Sequence, residues 1–124
     1  MRPRPATIDR TVADGASETE GSVILLSGFL DYRPEDRDEV VAALVEVSKR
    51  SQADHGCVDY WWAEDLETPG RFRFFECWES EEQFAAHRSQ PYETDFMERY
   101  VNGRAIGADA LAYDPSTRRS AMDD

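Results

Sequence analysis

The distribution of apolar and polar positions divides the chain into six elements. Ser22 to Leu30, SVILLSGFL, is a short apolar run that predicts a first strand. Pro34 suits a first helical position, and Glu35 and Asp36 suit the first turn beside the positive end of the helix dipole. From there Val40, Val41, Leu44, Val47 and Ser48 recur at three- and four-residue steps, which predicts a helix reaching about Ala53 with one apolar stripe. Lys49 and Arg50 favour its C-terminal end, and Gly56 closes the connection.

Gly56 to Asp65 and Arg71 to Glu79 read as two further strands, joined through the turn signal Glu67-Thr68-Pro69-Gly70. Ser80 with Gln83 three residues later forms a capping box that opens a short helix containing Phe84, Ala85 and His87. Pro91 ends that helix and starts another, striped by Tyr92, Phe96, Met97, Tyr100 and Val101 and ended by Asn102-Gly103. Residues 106–113, IGADALAY, predict a last strand. The order β-α-β-β-α-β, with its second helix split, is the ferredoxin-like α+β plan: a four-stranded antiparallel sheet with helices on one face. The domain reading is one unit over 22–113, a flexible N-terminal arm over 1–21 and a disordered tail over 114–124.

A turn centred on Thr68 pairs even-numbered hairpin positions with even-numbered ones. One face then carries Val58, Tyr60, Trp62, Phe72, Phe74, Glu76 and Trp78. The other carries Cys57, Trp61, Phe75 and Cys77 with Asp59, Arg73 and Glu79. A sheet with one face in water has no reason to spend Trp61 and Phe75 outward. Burial of that face against a second copy removes the conflict, so the pattern predicts a homodimer joined sheet to sheet; cover by the N-terminal arm is the monomeric alternative.

Charge narrows the function classes. With 26 acidic and 14 basic residues the chain has a formal net charge of −12, which argues against nucleic acids and anionic membrane surfaces as partners. No apolar run has the length of a membrane span, and no signal peptide is visible, so a cytoplasmic protein is expected. Cys57 and Cys77 read as two reduced thiols, with a cross-strand bridge as the lesser alternative. No Gly-rich nucleotide fingerprint is present. His87 with Glu76 supplies two metal ligands where catalysis needs three, and His55 falls in a loop, so no metal is expected.

The stretch FRFFECWESEEQFAAHRSQPYETDF, Phe72 to Phe96, resembles the antibiotic biosynthesis monooxygenase family, which includes small quinol monooxygenases. The matching features are Gly56 and Tyr60, then Glu76-x-Trp78, His87 nine residues on, and Pro91-Tyr92. The resemblance covers about residues 22–113 and implies a ferredoxin-like domain that pairs through its sheets into a dimeric α+β barrel. It also implies a cofactor-independent monooxygenase acting with molecular oxygen on a small hydroxylated aromatic, polyketide or quinol-type substrate. The haem-degrading branch of the family has a Trp where this chain has His87, a ligating His near Met97 and an Asn near Ser27-Gly28; all three are missing.

Oxygenation without a cofactor needs a base, an aromatic pocket and hydrogen bonds for a developing oxyanion. His87 is the candidate base, with Glu76 as its orienting partner or as the base itself. Trp78, Tyr60, Trp62, Phe72 and Phe74 are the candidate pocket walls. Each has a structural alternative: a packed histidine, a buried acid bonded to the backbone, and core aromatics. The competing functions are a non-catalytic dimeric barrel that binds a hydrophobic small molecule, and a lyase or isomerase that uses the same base without oxygen.

Overall fold

The computed structural model describes residues 23–122; the proposed arm over 1–21 lies outside the described residues. Strands β1 (Ile24–Asp31), β2 (Cys57–Glu64), β3 (Arg71–Trp78) and β4 (Gly107–Tyr113) form one sheet in the order β2-β3-β1-β4, with every neighbouring pair antiparallel. Helices α1 (Arg37–Gln52), α2 (Glu81–Arg88) and α3 (Pro91–Phe96) accompany the sheet. This is the ferredoxin-like α+β fold that the element order predicts.

Local chemistry accounts for the element ends. Pro34 opens a single 3-10 turn, Pro34–Asp36, that leads into α1. The Ser80 side chain accepts a hydrogen bond from the Gln83 amide (3.1 Å) and caps α2. Pro91 starts α3 where its missing N–H is harmless. The last part of the expected helix, Met97–Asn102, winds as a π-helix instead of continuing α3. Gly70 has φ +85°, and a Cβ there would stand 2.2 Å from the Tyr32 carbonyl oxygen, so the turn before β3 requires glycine.

The buried stripe of α1 is Val40, Leu44, Val47 and Ser51. Val41 and Ser48, expected in the stripe, flank it half-buried. The true stripe runs one turn further, to a serine that carries no hydrophobic signal. One part of the core joins α1 and α3 to the sheet through Leu30, Tyr32, Val40, Leu44, Val47, Phe72 and Phe96. A second part joins Ile24, Tyr60 and Trp78, with Phe84 packed against them.

The hairpin pairs Tyr60 with Glu76, Trp61 with Phe75 and Trp62 with Phe74, as the turn predicts. Near its start the register slips: Cys57 pairs with Trp78 and Asp59 with Cys77, so Val58 is the extra residue of a β-bulge. One inserted residue reverses facing. Val58, expected on the helix-covered face, is therefore exposed, while Cys57 turns inward to pack with Ile24, Tyr60 and Trp78. From Asp59 onward the expected alternation holds. The face away from the helices carries Trp61 and Phe75, stacked with ring centroids 5.7 Å apart, beside exposed Leu111 and Tyr113.

Candidate functional site

The site forms where three connections meet: the end of α1, the α2–α3 junction and the inner face of the hairpin. Asp54 follows α1 by two residues, in a turn fixed by the Cys57 amide donating to the Asp54 carbonyl (3.2 Å). His87 occupies the last turn of α2. Tyr92 and Glu93 occupy the first turn of α3, brought beneath His87 by the break that Pro91 enforces.

His87 is 1% exposed. Its ring stacks on Trp78, with centroids 4.4 Å apart and planes 28° apart, and the Tyr60 ring meets its edge at 6.0 Å. Nδ1 lies 3.0 Å from Asp54 Oδ2 and 3.2 Å from the Tyr92 hydroxyl. The Tyr92 hydroxyl itself donates to Asp54 Oδ2 at 2.5 Å. With that proton committed, Nδ1 faces two acceptors, so in the neutral ring the proton belongs on Nδ1. Asp54 Oδ1 accepts from Gln90 Nε2 (3.3 Å), and the hydroxyl of Ser51, buried at the end of the α1 stripe, donates to the Tyr92 oxygen (3.3 Å). The imidazole is thus clamped from one side, and its lone pair sits at Nε2.

On that side stands Glu93. Its Oε1 lies 3.6 Å from His87 Nε2, and neither atom has a hydrogen-bond partner. Burial, then the neighbouring carboxyl of Glu76, pushes the Glu93 carboxyl up to about 8. Arg88, with Nε 3.8 Å from Glu93 Oε2, opposes the rise. Burial also lowers the His87 pKa, against the pull of Asp54. A neutral imidazole with a fixed tautomer is a competent proton acceptor.

Glu76 lies on the helix-covered face, a position the sequence left open, and is 9% exposed. Its hydrogen bond, however, is with the indole N–H of Trp78 (2.9 Å), whereas those of His87 go to Asp54 and Tyr92. Burial raises the Glu76 pKa, and the indole bond and Arg88 partly offset this. Trp78 and Tyr60 adjoin His87. Trp62 and Phe74 lie one step along the hairpin: Trp62 Nε1 donates to the Tyr60 hydroxyl (3.1 Å), and its ring packs on Phe74 (4.9 Å) and Phe96 (6.1 Å). Phe72 belongs to the other part of the core, against Tyr32. Burial, then Glu76, pushes the Tyr60 hydroxyl well above the usual phenol range.

Asp54 and Glu93 escape sequence reasoning. Asp54 sits in a turn where aspartate is ordinary, and Glu93 in a first helical turn where an acid ordinarily meets solvent and the dipole. The available signal was Pro91, which places Glu93 at the third helical position, whose side chain leans back over the N-terminus. Among the described residues no group of three or more His, Cys, Asp and Glu side chains is placed to hold a metal ion, and no helix is long and apolar enough to cross a membrane.

A ferredoxin-like sheet with a buried histidine held between carboxyls under its helices defines the class: a small α+β protein with a histidine enclosed by aromatic rings. The chain belongs to the antibiotic biosynthesis monooxygenase family, whose model matches residues 24–99. It is 28% identical over 90 residues to an uncharacterized protein of Synechocystis sp., an alignment that takes in 73% of this chain and spans 61% of that relative's length. Among solved structures it is similar to a protein of Deinococcus radiodurans whose name assigns it provisionally to the same monooxygenases (TM-score 0.74, 22% identity, 80% of this chain and 98% of that one). It is also similar to a protein of Mycobacterium tuberculosis (TM-score 0.71, 21% identity, 80% and 100%). At these identities the structural likeness establishes the fold.

Proposed function

We propose that the protein is a dimeric, cofactor-independent monooxygenase of a hydroxylated aromatic, polyketide or quinol-type small molecule, with His87 as its base. The observation that carries this reading is the clamp on Nδ1 by Asp54 and Tyr92, which leaves Nε2 with a lone pair inside a family of monooxygenase fold. In the reaction, an acidic C–H of the substrate gives its proton to Nε2. The carbanion passes one electron to O₂, the carbon radical and superoxide combine, and the hydroperoxide loses water. One oxygen atom ends as a carbonyl and the other as water, so a CH₂ group supplies the four electrons that O₂ accepts. Trp78 and Tyr60, the rings beside His87, would wall a flat substrate there, with Trp62 and Phe74 one step along the hairpin; Glu76 acts through its bond to Trp78 as a positioning residue. The exposed aromatic face around Trp61 supports a sheet-to-sheet dimer, and the two free cysteines agree with a cytoplasmic setting.

The test is oxygen uptake with quinols, anthrones and hydroxynaphthoquinones, without added cofactor, for the wild type beside His87→Gln. Uptake that disappears in a folded variant supports the reading; equal uptake in both refutes the role of His87. The burial of His87, 1% exposed, favours the second reading, a non-catalytic barrel that binds a hydrophobic molecule. A ligand that copurifies and is not turned over would decide for that reading.

A further inference from the structure

His87 Nε2 and Glu93 Oε1 are two buried polar atoms that face each other without partners. Groups so placed are rare in native interiors, because each unpaired one costs free energy. Since Nδ1 already holds the ring proton, Nε2 is an acceptor, and an ionised Glu93 offers only acceptors as well. Two lone pairs aimed at each other call for one proton between them. A protonated Glu93 supplies it: closing the 3.6 Å gap by about 0.7 Å makes an ordinary hydrogen bond.

We propose that Glu93 is the proton-holding partner of His87: its carboxylic acid donates to Nε2 in the resting protein, and its ionised form frees Nε2 to take a proton and then stabilises the imidazolium. Every charged or titratable neighbour fits this arrangement. Glu76 on β3 and Asp54 after α1 disfavour a second negative charge at Glu93, and Arg88 on α2, half-exposed, opposes them only in part. Tyr60 on β2 and Tyr92 on α3 are both held as neutral phenols. Glu93 thereby becomes the direct partner of His87, the role sequence reasoning gives to Glu76. The consequence for turnover rests on the reading of His87 as a base; the sharing of the proton does not.

The experiment separates the two. The chain has only two histidines, His55 and His87, so a full-length protein labelled with ¹⁵N-histidine gives an assignable long-range ¹H–¹⁵N spectrum. Between pH 7 and 9, His87 should remain neutral with its proton on Nδ1. Its Nε2 signal should step once, near pH 8, as Glu93 loses its proton. In Glu93→Gln, whose amide still donates, the step should vanish. In Glu93→Asp it should shift. A proton on Nε2 in the wild type, the absence of any step there, or the same step in wild type and Glu93→Gln overturns the proposal. With an oxidised substrate in hand, kcat/KM of the wild type should rise about tenfold between pH 7 and pH 9. That rise should be lost in Glu93→Gln. Failure to oxidise any substrate counts against the oxygenase reading and leaves the spectrum to decide the proton.

Discussion

Replacing Glu93 with glutamine should flatten the dependence of stability on pH. The folded protein holds the Glu93 proton up to about 8, whereas the unfolded chain releases it near 4.5. Between those values the native state binds the extra proton, so this group stabilises the fold fully below pH 4.5 and the contribution is lost as pH rises through 8. Below about 6.5 the lowered pKa of His87 works in the opposite sense, because there the unfolded chain takes up the proton. The window from pH 6.5 to 8 therefore isolates Glu93. Integrating the linkage over it gives a loss of about 1.6 kcal/mol for the wild type. With a urea slope of about 1.5 kcal/mol/M, the midpoint should fall by about 1 M. Glu76, raised as well, contributes to both proteins and drops out of the difference. Urea melts followed by tryptophan fluorescence, at one protein concentration, give the comparison. Parallel slopes for wild type and Glu93→Gln across this window would refute the reasoning, since they would mean that Glu93 is ionised in the native state.

Three other changes probe separate parts of the molecule. Tyr92→Phe removes the hydroxyl shared by Asp54, Ser51 and His87 and should cost about 1–3 kcal/mol in denaturant melts; no loss would mean that this network carries no weight. Trp61→Asp puts a charge in the middle of the exposed aromatic face, so sedimentation velocity should find a dimeric wild type and a monomeric variant. A monomeric wild type would end the sheet-to-sheet reading. Gly70→Ala forces an L side chain into φ +85° and against the Tyr32 carbonyl, and should lower stability by at least about 1–2 kcal/mol in the same urea melts; an unchanged midpoint would contradict the geometry.

The elements were legible because their signals are local. Ser80 caps where a capping box should, Pro91 divides two helices, and the turn around Thr68 fixes the pairing of Trp62 with Phe74. Alternation alone put Glu76 on one face with Tyr60, Trp62 and Trp78; that the helices cover this face came from the structure. The rest depends on events no local pattern records. The bulge at Val58 breaks the alternation that placed Cys57 outside, and nothing in the residues 56–60 announces it. Ser51 completes the buried stripe because a small hydroxyl fits under Tyr92, a tertiary reason without a hydrophobic signature. Asp54 and Glu93 meet His87 only because the end of α1 and the start of α3 converge there, 33 residues before it in one case. Sequence could name the histidine; its partners come from the packing.

The same bulge governs the redox chemistry of the hairpin. It turns the Cys57 side chain toward the helices, while Cys77, paired with Asp59 near the end of the hairpin away from the turn, stays on the opposite face. Thiols that point away from each other through a sheet cannot reach disulfide geometry without breaking the ladder between them. Burial also pushes both thiols up, to about 12 for Cys57 and about 11 for Cys77, which leaves little thiolate to react at neutral pH. An oxidised preparation should therefore contain no crosslink within a chain, and any disulfide that forms must join two molecules.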